Sequence, residues 1–249
     1  MRLTVATFNI RNITDRYVER KPLLAAAFAA MAPDIAGLQE VVFSGERQDD
    51  LLAGAVPARS YRSLEARLER YPNAGNAILV ATGAVQAHEE LRLSHGRVAQ
   101  RALILLPNQR TLWFVNTHLH HVPGEPAARA GQAAGIRDWM TEAPAADATI
   151  ISGDFNAPPF EPGYAVMREA GYRSAFLESN GAEPQVTWPS GIQAPTMDTD
   201  GNPNCFDYIW LGGQVGAVNA RLAANEHPPG DPTIYPSDHF AIVATVELT

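Results

Sequence analysis

The chain has 249 residues, of which 46% are hydrophobic and 18% are charged. This length and composition are ordinary for a globular protein with a substantial apolar core, and they exclude a disordered or fibrous chain. The 27 acidic residues exceed the 19 basic ones, and the formal net charge of -8 disfavours tight nonspecific binding to DNA.

The first forty residues predict a strand, a helix and a second strand. Side-chain character alternates from Leu3 to Ile10, which is typical of a strand. The Ala- and Leu-rich segment from Pro22 to Met31 predicts a helix that ends before Pro33. The short apolar run from Ile35 to Gln39 predicts a buried strand, with Glu40 directly after it.

Further along the chain, short apolar segments bounded by turn residues predict six more strands. They are Ala77 to Ala81, Ala102 to Leu106, Thr111 to Asn116, Thr149 to Ser152, Phe206 to Leu211 and Phe240 to Leu248. Helices are predicted at Ala127 to Thr141 and at Tyr164 to Ala170. Because strands outnumber helices, a layered α/β fold with mixed sheets is favoured over a simple alternating βαβ sheet.

Composition is uniform along the chain, so residues 1–249 are expected to form one domain. Segments 179–204 and 224–237 are rich in Pro, Gly, Asn and Asp, and they are expected to be functional surface loops. The single cysteine, Cys205, excludes an intramolecular disulfide framework. Because signal-peptide features and long apolar segments are absent from the sequence, we expect a cytoplasmic protein without membrane association or an obligate protein partner.

Polar side chains that could bind a metal or a phosphate recur at the ends of the predicted strands. They are Asn9, Glu40, Asn116, His118, Asp154, Asn156, Asp207, Asp238 and His239. If these strand ends meet at one edge of the sheets, they form a polar cluster on a rigid scaffold. The carboxylates are hard oxygen ligands, which favours Mg²⁺ or Mn²⁺ over Zn²⁺.

Six short motifs occur in order along the chain. They are Thr7-Phe-Asn-Ile-Arg11, Leu38-Gln-Glu40, Asn116-Thr-His-Leu119, Gly153-Asp-Phe-Asn156, Phe206-Asp-Tyr-Ile209 and Ser237-Asp-His239. Together they resemble the signature motifs of the endonuclease/exonuclease/phosphatase superfamily, the group that includes pancreatic-type deoxyribonuclease. The resemblance implies a four-layer sandwich, in which two packed mixed β-sheets are flanked by helices and the active site lies at one end.

The resemblance also implies roles for the strand-end residues. Glu40 would bind the divalent metal, with Asn9 and Asp238 close to it. The catalytic group would comprise His239, Asp154, Asn156, His118 and Asp207. Asp207 would orient His239, and either His239 or Asp154 could activate the attacking water. The sequence does not distinguish between His239 and Asp154 as the base.

Five further residues are candidates for substrate contacts: Arg11, Asn76, Arg101, His120 and Trp188. The arginines could bind a phosphate through two parallel hydrogen bonds. His120 would face the same way as His118 if the strand continues. Asn76 lies in a Gly-Asn-Ala-Ile segment that resembles one in the family, and Trp188 could stack on a ring.

The favoured interpretation is a divalent-metal-dependent hydrolase of phosphate esters, acting by direct attack of water. A phosphodiesterase of a small or nucleotide-like substrate is preferred, because the chain is acidic and has no Lys/Arg-rich run. The first alternative is a DNA or RNA endo- or exonuclease, with Arg97, Arg101 and Arg110 compensating locally for the net charge. The second is a catalytically silent binding module on the same fold.

Overall fold

Two six-stranded β-sheets pack face to face in the computed structural model, which describes residues 1–195 and 202–249. The first sheet contains β1 (Arg2–Asn9), β2 (Ile35–Val42), β3 (Arg62–Arg67), β4 (Ala74–Val80), β11 (Val215–Ala223) and β12 (Ala241–Leu248). The second contains β5 (Ala84–Arg92), β6 (Val98–Leu105), β7 (Thr111–His118), β8 (Ala148–Asp154), β9 (Arg173–Ser174) and β10 (Asp207–Gly213). The helices are α1 (Tyr17–Met31), α2 (Gln48–Gly54), α3 (Pro126–Thr141), α4 (Pro162–Glu169) and α5 (Ala175–Asn180).

The strand order is β11-β12-β1-β2-β4-β3 in the first sheet and β5-β6-β7-β8-β10-β9 in the second. Each sheet has one parallel pair near its centre, β1 with β2 and β7 with β8, while the other paired strands run antiparallel. A helix connects the strands of each parallel pair, as parallel pairing requires. The carboxyl ends of all four strands carry residues of the predicted site.

Both faces of the central strands are buried, which explains their nearly continuous apolar sequences. In β1, Leu3 and Val5 pack between the two sheets, while Ala6 and Phe8 pack toward α1. The outer face of the second sheet packs in the same way against α3 and α4, through residues such as Ile136 and Met167. The arrangement is therefore the four-layer sandwich predicted from the sequence.

A small polar cluster joins the sheets directly beneath the site. Gln39 Nε2 donates to Thr7 Oγ1 at 3.1 Å and to Asn116 Oδ1 at 2.6 Å, and Asn116 Nδ2 donates to two backbone carbonyls of the first sheet. Gly37 makes room for this cluster, because a Cβ there would lie 2.2 Å from Ser152 Oγ. Asn116, which the sequence grouped with the site residues, therefore bridges the sheets.

All eight predicted strands are present, with ends within a few residues of those expected. Helix α1 begins at Tyr17, five residues before the predicted start, and contains Pro22 within it. The sequence missed four strands, β3, β5, β9 and β11, and each of them is an edge strand. It also missed the short helices α2 and α5. Helix α5 includes the start of the predicted 179–204 loop. Residues 196–201 of that loop lie outside the described residues.

Buried Arg20 fixes the loop that follows β1. Its guanidinium donates to the carbonyl oxygens of Asp15, Ile10, Pro236, Arg11, Asn12 and Thr14. These bonds connect the 10–15 loop with the segment that leads to Asp238. Within the described ranges 1–195 and 202–249, none of the helices has the length and apolarity that a membrane span requires.

Candidate active site

A cavity of about 770 Å³ opens where the carboxyl ends of the two parallel pairs meet. Most of the predicted site residues line it: Arg11, Glu40, Asn76, His118, Asp154, Asn156, Trp188, Asp238 and His239. Asn9 and Asp207 are buried and hydrogen bond to residues of this set. The topology explains the convergence, because β10 and β12 run antiparallel to β8 and β1 and so place their first residues at the same edge.

Glu40 lies at an irregularity in β2. The register with β4 shifts between Leu38 and Val41, and Glu40 has a φ of 57°. A bulge of this kind redirects a side chain, and a left-handed backbone at a residue other than glycine is strained. Two amide side chains hold the Glu40 carboxylate: Asn9 Nδ2 donates to Oε1 at 3.2 Å, and Asn12 Nδ2 donates to Oε2 at 2.7 Å.

Asp154 is fully buried at the end of β8. Asn9 Nδ2 donates to its Oδ2 at 3.0 Å, and the backbone N–H of Asn156 donates to its Oδ1 at 2.9 Å. The preceding residue must be glycine, because a Cβ on Gly153 would lie 2.4 Å from the carbonyl oxygen of Thr117. Asn9 therefore bridges Glu40 and Asp154 with its amide N–H groups, which gives it a positioning role.

His239 pairs with Asp207, as the sequence predicts. His239 Nδ1 lies 2.9 Å from Asp207 Oδ2, and His239 Nε2 points toward Asp154 Oδ2 at 3.6 Å. Thr187 Oγ1 accepts hydrogen bonds from the backbone N–H groups of Phe206 and Asp207, and so fixes the start of β10. The second carboxylate oxygen of Asp207 is buried and has no hydrogen-bond partner among the described residues.

The electrostatics of this group are unusual. Burial is the largest influence on Asp154 and raises its pKa above the ordinary carboxyl range; the carboxylate of Asp207 raises it further, while His239 opposes the shift. Burial by itself would lower the pKa of His239, but the carboxylates of Asp207, Asp154 and Asp238 outweigh it and raise that pKa. Asp154 and His239 therefore hold a proton strongly, and the ligand atoms of Asp154, Asp207 and His239 lie within 4.8 Å of one another.

His118 lies beside Asp154 on the neighbouring strand β7 of the same sheet, with its Nε2 3.5 Å from Asp154 Oδ2. Burial and the nearby charges of Arg97 and His239 lower the pKa of His118 well below its usual value, so this imidazole is neutral. Arg97 lines the same wall and donates from Nη2 toward His121 Nδ1 at 2.8 Å. The cavity therefore presents a neutral imidazole and a guanidinium opposite the carboxylates of the first sheet.

Asp238 closes the floor of the cavity on the side of the first sheet. Its Oδ2 lies 3.4 Å from Arg11 Nη1 and accepts a hydrogen bond from Trp188 Nε1 at 3.2 Å. The Trp188 ring is 6.5 Å from that of His239 and packs against Phe206. Arg11 and Trp188 thus orient Asp238, and both also line the cavity.

Two predicted substrate contacts lie elsewhere. The Arg101 guanidinium is 4.9 Å from the Trp113 ring centroid and 4.1 Å from that of Trp139, on the outer face of the second sheet. Strand β7 ends at His118, so the alternation that would place His120 on the same side as His118 does not continue. His120 Nε2 instead lies 2.9 Å from Glu125 Oε2. Arg110, the third arginine proposed to attract nucleic acid, binds Asp147.

The predicted Asn76 contact does lie at the cavity, where Asn76 Nδ2 donates to the carbonyl oxygen of Val98 across the two sheets. The sequence motifs do not identify Asn12, which holds Glu40, or Thr187, which holds Asp207. Arg97 is predicted only as one of three basic residues that compensate locally for the net charge toward a nucleic-acid substrate, and it lines the cavity. Asn12 directly follows the first motif, whereas Thr187 and Arg97 lie far from every motif in the sequence and act through contacts that only the fold creates.

The site consists chiefly of hard oxygen donors, so it suits a divalent cation such as Mg²⁺ better than a soft one. Glu40 reaches the cavity directly, while Asp154, Asp207 and Asp238 lie within the same floor. Arg11 pairs with the floor carboxylate of Asp238, and His239 pairs with that of Asp207. These carboxylates are the residues that could hold such a cation.

The comparisons with known proteins agree with this geometry. The sequence profile of the Endonuclease/Exonuclease/phosphatase family matches residues 6–239. A Bacteroides vulgatus protein of that description is 21% identical, with a TM-score of 0.78 and 100% of both chains covered. The human Nocturnin catalytic domain with bound sulfate is 23% identical, with a TM-score of 0.78 over 100% of this chain and 95% of that one.

D. rerio TDP2 complexed with a single-strand DNA product is also similar, at 19% identity and a TM-score of 0.79, with 99% of each chain covered. At these identities the solved structures establish the fold alone. No curated protein matches the chain in sequence. The match to the family profile is therefore what carries the assignment beyond the fold.

Proposed function

The chain belongs to the endonuclease/exonuclease/phosphatase family, and on that premise we propose that it hydrolyses a phosphate ester with a divalent cation, Mg²⁺ or Mn²⁺. All three activities in the family's description cleave phosphate esters. The observation that carries the proposal is the convergence in one cavity of Glu40, Asp154, His118 and the Asp207–His239 pair. We propose that residues 1–249 act as one domain, because these residues come from both ends of the chain.

Glu40 would hold the cation, with Asp238 as a further carboxylate in the same cavity. The cation would supply positive charge to the phosphate oxygens and to the leaving oxygen. Asn9 and Asn12 keep the Glu40 carboxylate oriented through their amide N–H groups. The donor set favours Mg²⁺ or Mn²⁺, because both prefer oxygen ligands.

The protein side chains would carry out the proton transfers. Asp154 and His239 are the two candidate bases for the attacking water, and their facing atoms are 3.6 Å apart, so one proton can pass between them. Asp207 fixes the tautomer and the orientation of His239 through Nδ1. His118 and Arg97 face the same space and would donate hydrogen bonds to the phosphate oxygens.

The shape of the cavity favours a small or nucleotide-like phosphodiester. Phe160 lines the mouth and is 79% exposed, so it offers an aromatic face for a ring. Arg97 and Arg129 also line the cavity, but Arg129 is paired with Glu161, which leaves little free positive charge. A nuclease is the second candidate, supported by the similar fold of D. rerio TDP2 in complex with a single-strand DNA product.

A substrate screen tests the proposal. Purified protein would be incubated with Mg²⁺ or Mn²⁺ and with phosphomonoesters, nucleotide diesters, bis-p-nitrophenyl phosphate and single-stranded oligonucleotide, with Glu40→Gln as the blank. We expect the wild-type protein to turn over a diester, and EDTA should abolish this turnover. The Glu40→Gln protein should be slower by at least about 10²-fold. Faster cleavage of the oligonucleotide than of every small diester would favour the nuclease.

The His239→Ala variant separates catalysis from mere binding. We expect it to lose hydrolysis while its circular dichroism spectrum stays unchanged, since the ring is replaced without a change in the backbone. His227→Ala is the matched control, because His227 is exposed and lies outside the cavity. If the His239→Ala protein turned over every substrate as well as the control does, the assigned mechanism would be wrong.

A further inference from the structure

A second cluster of potential metal ligands lies beside the cavity. His95, His120 and Glu125 bring together two imidazoles and a carboxylate, and we call these three residues the rim cluster. Glu125 Oε2 lies 2.9 Å from His120 Nε2 and 3.7 Å from His95 Nε2. The imidazole rings of the two histidines stack at 4.2 Å between centroids. All three ligand atoms lie within 4.8 Å of one another.

The surrounding structure holds these side chains in place. His95 lies in a short 3-10 turn (Ser94–Gly96) and has a φ of 59°, which is strained for any residue other than glycine. Ser94 Oγ lies 3.1 Å from His95 Nδ1, and that contact leaves His95 Nε2 to face Glu125. Such a partner on the second ring nitrogen is typical of histidines that bind metals.

Gln132, buried on α3, connects the segments that carry the two histidines. Its Nε2 donates to the carbonyl oxygen of Ser94 at 2.8 Å, and its Oε1 accepts from the backbone N–H of His120 at 2.8 Å. Glu125 stands directly before the same helix. The three ligands thus come from three segments that a buried side chain and a helix start already hold together.

We propose that the rim cluster is a Zn²⁺ site, separate from the oxygen-rich site in the cavity. Zn²⁺ binds imidazole and carboxylate at about 2.0 to 2.2 Å, so tetrahedral ligand atoms lie about 3.3 to 3.5 Å apart. The separation of His95 from Glu125 is close to this value, and the His120–Glu125 contact needs to open by less than about 1 Å. Two imidazoles with one carboxylate favour Zn²⁺ over Mg²⁺.

Solvent can complete the coordination, because the side chains of His95 and Glu125 are 43% and 48% exposed. The neighbouring residue His121 accepts a hydrogen bond from Arg97 at 2.8 Å, and both line the cavity. A cation on the rim cluster would join the segments on which Arg97 and His121 lie. It would therefore stabilise this wall of the cavity without taking part in the hydrolysis.

Zinc binding with Mg²⁺ in excess tests the proposal, because Mg²⁺ competes for the oxygen-rich site. Equilibrium dialysis of Zn²⁺ would be run on the wild-type protein, His95→Gln, Glu125→Gln and the matched control His227→Gln. Asp207→Asn is included because it alters the cavity while leaving the rim cluster intact. The melting temperature with and without Zn²⁺ gives a second readout for each protein, and neither readout depends on activity.

We expect one Zn²⁺ equivalent in the wild-type protein, in His227→Gln and in Asp207→Asn, with a rise in melting temperature on binding. His95→Gln and Glu125→Gln should each lower the affinity by more than about 10²-fold, since each removes one of three protein ligands. Two results would overturn the proposal: no Zn²⁺ bound by the wild-type protein, or rim variants that bind it as tightly as the control does. Failure of the hydrolase proposal would leave these readouts unchanged.

Discussion

The two ends of β8 carry aspartates in opposite situations. Asp147, directly before the strand, accepts hydrogen bonds from the backbone N–H and the hydroxyl of Thr111 and pairs with Arg110 at 2.8 Å. These contacts, led by the Thr111 N–H, lower its pKa to about 2. Asp154, at the other end, is buried close to another carboxylate, and its pKa is raised.

The difference shows that the contacts at one end of β8 favour a carboxylate charge, whereas burial at the other end disfavours it. At Asp147 every neighbour favours the ionised carboxylate, so its charge stabilises the folded protein. At Asp154 burial and the charge of Asp207 disfavour the ionised form, which is the form that can accept a proton. Carboxylates at functional sites are commonly destabilising in this way. Substitutions at each end should therefore have effects of opposite sign.

Asp154→Asn should have the largest effect. We expect kcat/KM to fall by about 10³-fold or more, because a candidate base, its hydrogen bond from Asn9 and its ionic contact with His239 are altered. The melting temperature in EDTA should rise, since the asparagine removes a buried charge. In the wild-type protein the pKa of Asp154 is raised by folding, so its ionisation destabilises the folded state as the pH rises. The stability advantage of Asp154→Asn over the wild type should therefore grow as the pH increases from about 4 to 8. A variant that is less stable than the wild type at pH 8 would contradict the comparison.

Asp207→Asn should have the next largest effect, with a loss in kcat of about 10²-fold to 10⁴-fold from the disturbed orientation of His239. Burial is the largest influence on the pKa values of both Asp154 and His239, and the carboxylate of Asp207 raises both. Removing this charge lowers both values, so the acid limb of the kcat/KM profile should move to lower pH whichever group is the base. A profile that moved to higher pH would show that Asp207 acts in another way.

Asp147→Asn should have the smallest effect, confined to stability. The folded-state pKa of about 2 lies below the value of about 3.9 for an unfolded aspartate. The stabilisation is therefore fully present above about pH 4 and is lost as the pH falls toward 2. Urea denaturation should show a less stable variant at pH 7 and a narrowing gap below pH 4, with unchanged kcat. Glu226→Gln, at an exposed position, is the control and should leave the urea midpoint unchanged.

The interior of each sheet could be predicted from the sequence, whereas the edges could not. All eight predicted strands have a neighbouring strand on each side, and their apolar runs reflect burial on two faces. The four missed strands are the four edges. β5, for example, includes Gln86, His88, Glu89 and Glu90, because an edge strand needs polar residues to avoid pairing with other chains.

The site could be predicted where a residue stands at a strand end, because topology alone brings those ends together. Asp154 and His239 are of this kind. Residues that act through long-range contacts could not be found, as Asn12 and Thr187 show. The strand alternation also ended at His118, so His120 belongs to the rim cluster and does not share the side of His118. Arg101 illustrates that a buried guanidinium can serve aromatic packing.

The position of β1 between β2 and β12 has a consequence for how the protein reaches its active form. Thr7 pairs with Ile242, so the first sheet is complete only when residues more than 230 positions apart come together. Contacts of such high sequence separation form late in folding, after loop closure has been accomplished. Asn9 and His239 flank this pairing. During refolding, enzymatic activity should therefore recover after most secondary structure has formed, and it reports the completion of the fold.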